Sequence, residues 1–151
     1  MKKYSLIVVS FCICCMIITA SLTVYVDPYF HYHKPNDKLN YVICNERYQN
    51  DGIMRHFDYT AMITGTSMTE NFKTSEFDNL FQVSSIKVPF FGASYREVND
   101  NVERAIKYNP QLKIVLRGID CSMFFTSAEW MSYYENDLPK YLTNYNLFDY
   151  V

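Results

Sequence analysis

The chain has 151 residues, enough for about one domain. Apolar residues make up 49% of it and aromatic residues 17%, which supplies a core and excludes a chain disordered by composition. Its net charge is -2 and it carries no basic stripe, so nucleic-acid binding is excluded as a reading. No internal repeat is visible.

Lys2 and Lys3 precede a run from Tyr4 to Val26 that holds no charged residue. As a helix this run measures about 34 Å, enough to cross a hydrocarbon core of about 30 Å. A cleaved signal peptide has a shorter apolar stretch and small residues before the cut. Thr19-Ala20-Ser21 mimics such a site only weakly, because the apolar run continues through Leu22, Val24, Tyr25 and Val26. Residues 1–26 therefore read as an uncleaved signal anchor in the lipid bilayer, crossing once. The two lysines and the free amino group favour a cytoplasmic amino end, with everything from Asp27 onward outside.

Three of the five cysteines, Cys12, Cys14 and Cys15, fall inside the anchor and read as apolar membrane residues. Cys44 and Cys121 are the two outside it. They could pair in an oxidising compartment, but two isolated cysteines make no disulfide framework. Asp27-Pro28 closes the anchor, and residues 27–57 read as a juxtamembrane segment broken by Pro28, Pro35 and Gly52. His31 and His33 stand at i, i+2, but no third ligand is near, so interfacial polar-aromatic residues are the better reading. There is no zinc spacing, and no metal or cofactor is expected.

Residues 58–151 show a different pattern. Ala61–Thr64 reads as a short buried strand. Ser75-Glu76-Phe77-Asp78 resembles a capping box opening a short helical turn, with Phe77, Leu80 and Phe81 on one face. Ser85–Val88 is a second strand candidate, halted by Pro89. Ser94-Tyr95-Arg96-Glu97 is another capping box, and the helix it opens carries Val98, Val102, Ala105 and Ile106 in one stripe before Asn109-Pro110 stops it. Leu112–Leu116 is a third strand. This alternation predicts an α/β fold: a flavodoxin-like parallel sheet, incomplete at about three strands, with right-handed crossovers and one transmembrane helix ahead of it.

Open parallel sheets bind ligands beyond the carboxyl ends of their strands. Three glycine-bearing stretches fall there: Gly65-Thr66-Ser67, Phe91-Gly92-Ala93-Ser94 and Arg117-Gly118-Ile119-Asp120. The first sets a serine after a strand and before a helical turn, where N–H groups and the helix dipole could stabilise an oxyanion. Small and hydroxyl residues are equally what turns and caps require.

With its strand-end blocks and the stretches "DPYFHYHKP", "RYQNDGI", "HFDYTAMITGTSMTENFKTSEFD" and "YNPQLKIVLRGID", the chain resembles the SGNH, or GDSL-type, hydrolase superfamily. Within it, the likeness is to the membrane-anchored, extracytoplasmic branch that includes the D-alanyl-lipoteichoic acid biosynthesis protein family. The resemblance implies Ser67 as the nucleophile, Gly92 as an oxyanion-hole backbone N–H, and Asp120 near the third-block asparagine. It also implies an esterase or acyltransferase acting on an acylated cell-envelope glycopolymer. Three departures stand out. Thr66 replaces the usual aspartate. Asp120, when ionised, can only accept hydrogen bonds. The family's late Asp and His do not occur, since no histidine follows His56. His56 lies at the wrong end of the first strand, about 15 Å from Ser67. The chain therefore reads as the amino-terminal part of such a protein, inactive without the late block. The alternative is a non-catalytic, membrane-anchored partner protein in cell-envelope polysaccharide or teichoic acid assembly. An in-frame continuation carrying Asp-x-x-His separates the two.

Overall fold

The computed structural model describes residues 2–42, 45–125, 127 and 130. Helix α1, Lys2–Val26, has apolar residues all round and is exposed along its length. It is long and apolar enough to cross a membrane. It ends in a tight knot. The buried Asp27, at φ +42°, donates its N–H to Thr23 O at 2.8 Å, and its carboxylate accepts from the N–H groups of His31, Tyr32 and His33 at 2.8, 2.8 and 3.0 Å.

Helix α2, Glu46–His56, is an element that the sequence pattern did not indicate. Its buried residues run Gln49, Asn50, Asp51, Gly52, Ile53, Met54, so polar groups occupy positions where periodicity looks for apolar ones. Hydrogen bonds compensate their burial. Gln49 Nε2 donates to Pro28 O at 2.9 Å, and Asn50 Nδ2 donates to Pro89 O. Gly52 lets the main chain of Tyr29 and Phe30 lie directly on the helix: a Cβ there would sit 2.3 Å from Phe30 O. Residues 27–57 thus share a core with the sheet, through Phe30, Ile53 and Met54 packed with Met62, Ile86 and Val88.

The sheet is three-stranded and parallel, in the order β2-β1-β3, with β1 Ala61–Gly65, β2 Ser85–Pro89 and β3 Ile114–Arg117. The register sets Ala61 beside both Ser85 and Ile114. Every residue of the central β1 is buried, because both faces of the sheet are covered. Met62 faces α2 and α4 (Tyr95–Tyr108), while Ala61 and Ile63 face α3 (Thr74–Phe81) through Phe77. The chain moves from β1 to β2 and then back across β1 to β3. Right-handed crossovers in opposite directions place α3 and α4 on opposite faces. This is the expected α/β architecture.

Details of three elements, α3, α4 and β3, correct the sequence reading. The N-cap of α3 is Lys73, not Ser75, and of its apolar residues Phe77 is buried while Leu80 and Phe81 are exposed. In α4, Ser94 Oγ does accept from Glu97 N–H at 2.9 Å, but the Glu97 carboxylate turns away to Arg47 instead of closing the box. The inward face of α4 is Glu97, Val98, Asn101 and Ala105, with Val102 at its margin, and Ile106 is 53% exposed. Strand β3 starts at Ile114, and Leu112 precedes it as a core contact.

Candidate functional site

Strand β1 ends at Gly65, whose φ of +150° favours glycine. Gly65 and Gly118 flank the Thr69 side chain: a Cβ on either would lie 2.6 or 2.4 Å from the Thr69 methyl. Phe90 N–H donates to Gly65 O at 2.9 Å and Gly118 N–H to Thr64 O at 2.8 Å, so the three strand ends stay in register as they leave the sheet. Thr66 caps the next element, a 3-10 helix over Ser67–Asn71, and Thr69 donates both its N–H and its hydroxyl to Thr66 O at 3.0 and 2.6 Å. This element has five residues, so the dipole expected behind Ser67 is that of a single tight turn.

At the end of β2, residues 90–93 form a turn closed by Ala93 N–H on Phe90 O at 3.1 Å, with Gly92 at φ +60°. Beyond β3 comes Asp120. Ser67, Gly92 and Asp120 line one cleft of about 250 Å³, together with Thr66, Tyr95 and Trp130. Thr66 Oγ1 donates to the Asp120 carboxylate, tying the first block to the third. The backbone N–H groups of Ser67 and Gly92 make no hydrogen bond among the described residues. A second cavity, about 460 Å³ and lined by Arg55, Tyr59, Tyr108 and Asn109, opens at the amino ends of the strands. It is the larger one, but the smaller cleft sits where parallel sheets present their functional loops.

All three histidines lie away from the cleft. His56 Nε2 is 3.3 Å from His31 O, and the His33 ring lies between Val24 O and Lys34 O. Among the described residues no group of three or more His, Cys, Asp or Glu side chains could hold a metal ion. Cys121 is exposed, and Cys44 lies outside the described residues.

Sequence reasoning missed the residues behind the Gly92 turn, because they stand on α2. Glu46 Oε2 accepts from Phe91 N–H at 2.7 Å, and Arg47 Nη2 donates to Phe91 O at 2.7 Å. Arg47 also grips Glu97 through Nε and Nη2 at 2.6 and 2.7 Å, in a pair almost wholly removed from solvent. Burial, then the neighbouring Glu70 carboxyl, pushes Glu46 up to about 7. On the cleft wall, the Arg117 guanidinium stacks 4.1 Å over the Tyr95 ring and donates to Tyr95 O at 2.9 Å. Neither a protein-family model, nor a curated protein, nor a solved structure matches the chain.

Proposed function

We propose that this chain is a membrane-anchored, extracytoplasmic SGNH-like protein carrying the nucleophile and oxyanion side of an esterase or acyltransferase for acyl groups on a cell-envelope glycopolymer. One observation carries the reading: Ser67, Gly92 and Asp120, from the ends of three different strands, surround one cleft. In this reading Ser67 Oγ attacks an ester carbonyl, and the N–H groups of Ser67 and Gly92 receive the oxyanion. A serine hydroxyl is a weak nucleophile until a base takes its proton, and the chain's histidines are all elsewhere. Residues 1–151 alone therefore bind and orient an acyl group without turning it over.

The test is labelling of the purified chain by a fluorophosphonate probe, and hydrolysis of an activated acyl ester, beside Ser67→Ala. Losing a triad partner costs serine hydrolases several orders of magnitude, so neither readout should depend on Ser67. Labelling that vanishes in Ser67→Ala would show that another residue activates the serine. The reading itself is tested by the backbone amides of Ser67 and Gly92, which should shift when the ethyl methylphosphonate anion, a tetrahedral oxyanion mimic, is titrated in. No perturbation at either amide removes the oxyanion assignment.

The bond from Thr66 to Asp120 favours a second reading, a non-catalytic partner protein that keeps the cleft for holding a ligand. The third-block side chain is then an acceptor for its own scaffold. In that case the cleft amides respond to a neutral ester but not to the phosphonate anion.

A further inference from the structure

The Phe91 peptide, immediately before Gly92, is held at both of its polar groups by two adjacent residues of α2: its N–H by Glu46 and its carbonyl by Arg47, each at 2.7 Å. The geometry points to Glu46 and Arg47 as positioning residues for the cleft, fixing the turn that presents Gly92. This inference deepens the proposed function and rests on it for the purpose of the turn.

Three structural features support it. First, Phe91 and Gly92 are both exposed, and the turn closes through Ala93 N–H on Phe90 O. Second, the clamp is itself anchored. Arg47 is braced by the bidentate Glu97 carboxylate, and Glu97 is fixed in α4, where Asn101 Nδ2 donates to its carbonyl at 2.6 Å. Third, Glu46 stands behind the cleft, beside two of the segments that border it. Its carboxyl also neighbours that of Glu70, on the 3-10 helix that begins with Ser67, and burial together with this neighbour raises its pKa. One side chain thereby touches the segment carrying the serine and the turn carrying the glycine. The charged groups around it are Glu70, Arg47 with its partner Glu97, and Lys87 of β2, whose ammonium donates to Glu70 O and Phe72 O at 2.7 and 3.1 Å.

Phe91 N–H bonds the Glu46 carboxylate directly and reports the contact itself, while the Gly92 amide reports whether that contact sets the turn. The experiment is amide NMR on the full chain in detergent micelles, comparing the parent with Glu46→Gln, which keeps an acceptor but loses the charge, and with Glu46→Ala, which loses both. In the parent, the Phe91 amide proton should move downfield as pH rises through about 7, with Gly92 following, because a carboxylate is the stronger acceptor. Glu46→Gln should abolish that titration and keep the Phe91 amide protected from exchange. Glu46→Ala should abolish it and speed Phe91 exchange by about tenfold, the loss of one hydrogen bond. The inference is overturned if the parent amides do not titrate, if the titration survives in Glu46→Gln, or if Phe91 exchange is unchanged in Glu46→Ala. A parallel titration with the ethyl methylphosphonate anion separates the two proposals. Amides that respond to Glu46 but not to the anion leave the clamp standing and remove the oxyanion function.

Discussion

Thr66 gives its only hydroxyl proton to the Asp120 carboxylate, and that bond decides what the third strand end can do in the cleft. An ionised carboxylate offers no donor to an oxyanion and repels it. Asp120→Asn should reverse both effects: the amide oxygen can still accept from Thr66 while the amide N–H groups face the cleft. We expect the phosphonate anion to bind about tenfold more tightly to this variant, read from the Ser67 and Gly92 amides. Equal or weaker binding would mean that the Asp120 side chain does not address the site. A second residue-scale prediction concerns the knot after α1. His33 Nδ1 and Nε2 lie 2.6 and 2.8 Å from Lys34 O and Val24 O, and carbonyls only accept, so the ring satisfies both when doubly protonated. These carbonyl contacts raise its pKa, whereas burial lowers that of His31 against the pull of Asp27. The signs oppose. The His33 contribution to stability is complete below its unfolded value of about 6.5 and is lost as pH rises through its higher folded value. His31 resists protonation in the fold, so its contribution is present above about 6.5 and is lost as pH falls through its lower folded value. Ring-proton NMR should show the two titrating on opposite sides of the unperturbed midpoint, and coincident midpoints would dismantle this account of the knot.

Element by element, packing is decided by a few close approaches. Alanine at position 52 would gain about 1 kcal/mol of helix propensity, but its methyl group would meet three backbone atoms of Tyr29 and Phe30 within 2.7 Å. Backbone cannot swing aside as a side chain can, so Gly52→Ala should be net destabilising by about 2 kcal/mol or more in denaturant unfolding. A neutral result would mean that the turn after α1 does not dock on α2. In α4 the contrast is sharper. Val98 is wholly buried, so Val98→Asp, which places an unpaired charge in the core, should cost more than about 4 kcal/mol. Ile106→Asp, at an exposed position, should stay within about 0.5 kcal/mol of the parent. Apolar periodicity alone puts Ile106 inside, and the structure shows why it misleads: Glu97 and Asn101 occupy two of the inward positions, held by Arg47 and by the helix's own carbonyl. The same cause hides α2, whose inward residues Gln49 and Asn50 bond Pro28 O and Pro89 O, both distant in sequence. Strands β1 and β2 were legible because short apolar runs end at Gly65 and Pro89. That Ser67, Gly92 and Asp120 meet at one cleft was legible because parallel strands dictate where their loops converge. Glu46 and Arg47 were not, since only the folded α2 brings them to Phe91.

At the scale of the whole molecule, the candidate membrane helix and the folded domain are joined without a spacer. Helix α1 ends at Val26, and the next residue, Asp27, is already buried, with its N–H continuing the helix and its carboxylate holding the following turn. Gln49 takes hold of Pro28 O, and Phe30 enters the core. A domain tied this closely to α1 must lie at the bilayer surface if the helix spans, on the side set by the charges flanking the helix. Lys2, Lys3 and the amino group precede α1, and the tendency of flanking positive charge to stay in the cytoplasm predicts, as the proposed function requires, a domain outside. Cys121 reports on this directly, being exposed and far along the chain from the three cysteines within α1. In a Cys44→Ala background, it is the remaining cysteine outside α1. A membrane-impermeant maleimide added to intact cells should therefore label membrane-associated protein at Cys121, with no gain on permeabilisation. Labelling that appears only after permeabilisation would reverse the orientation. Labelled protein recovered free in the medium and shortened at its amino end would show that α1 is cleaved as a signal sequence, and the released domain would then have nothing holding it at the bilayer surface.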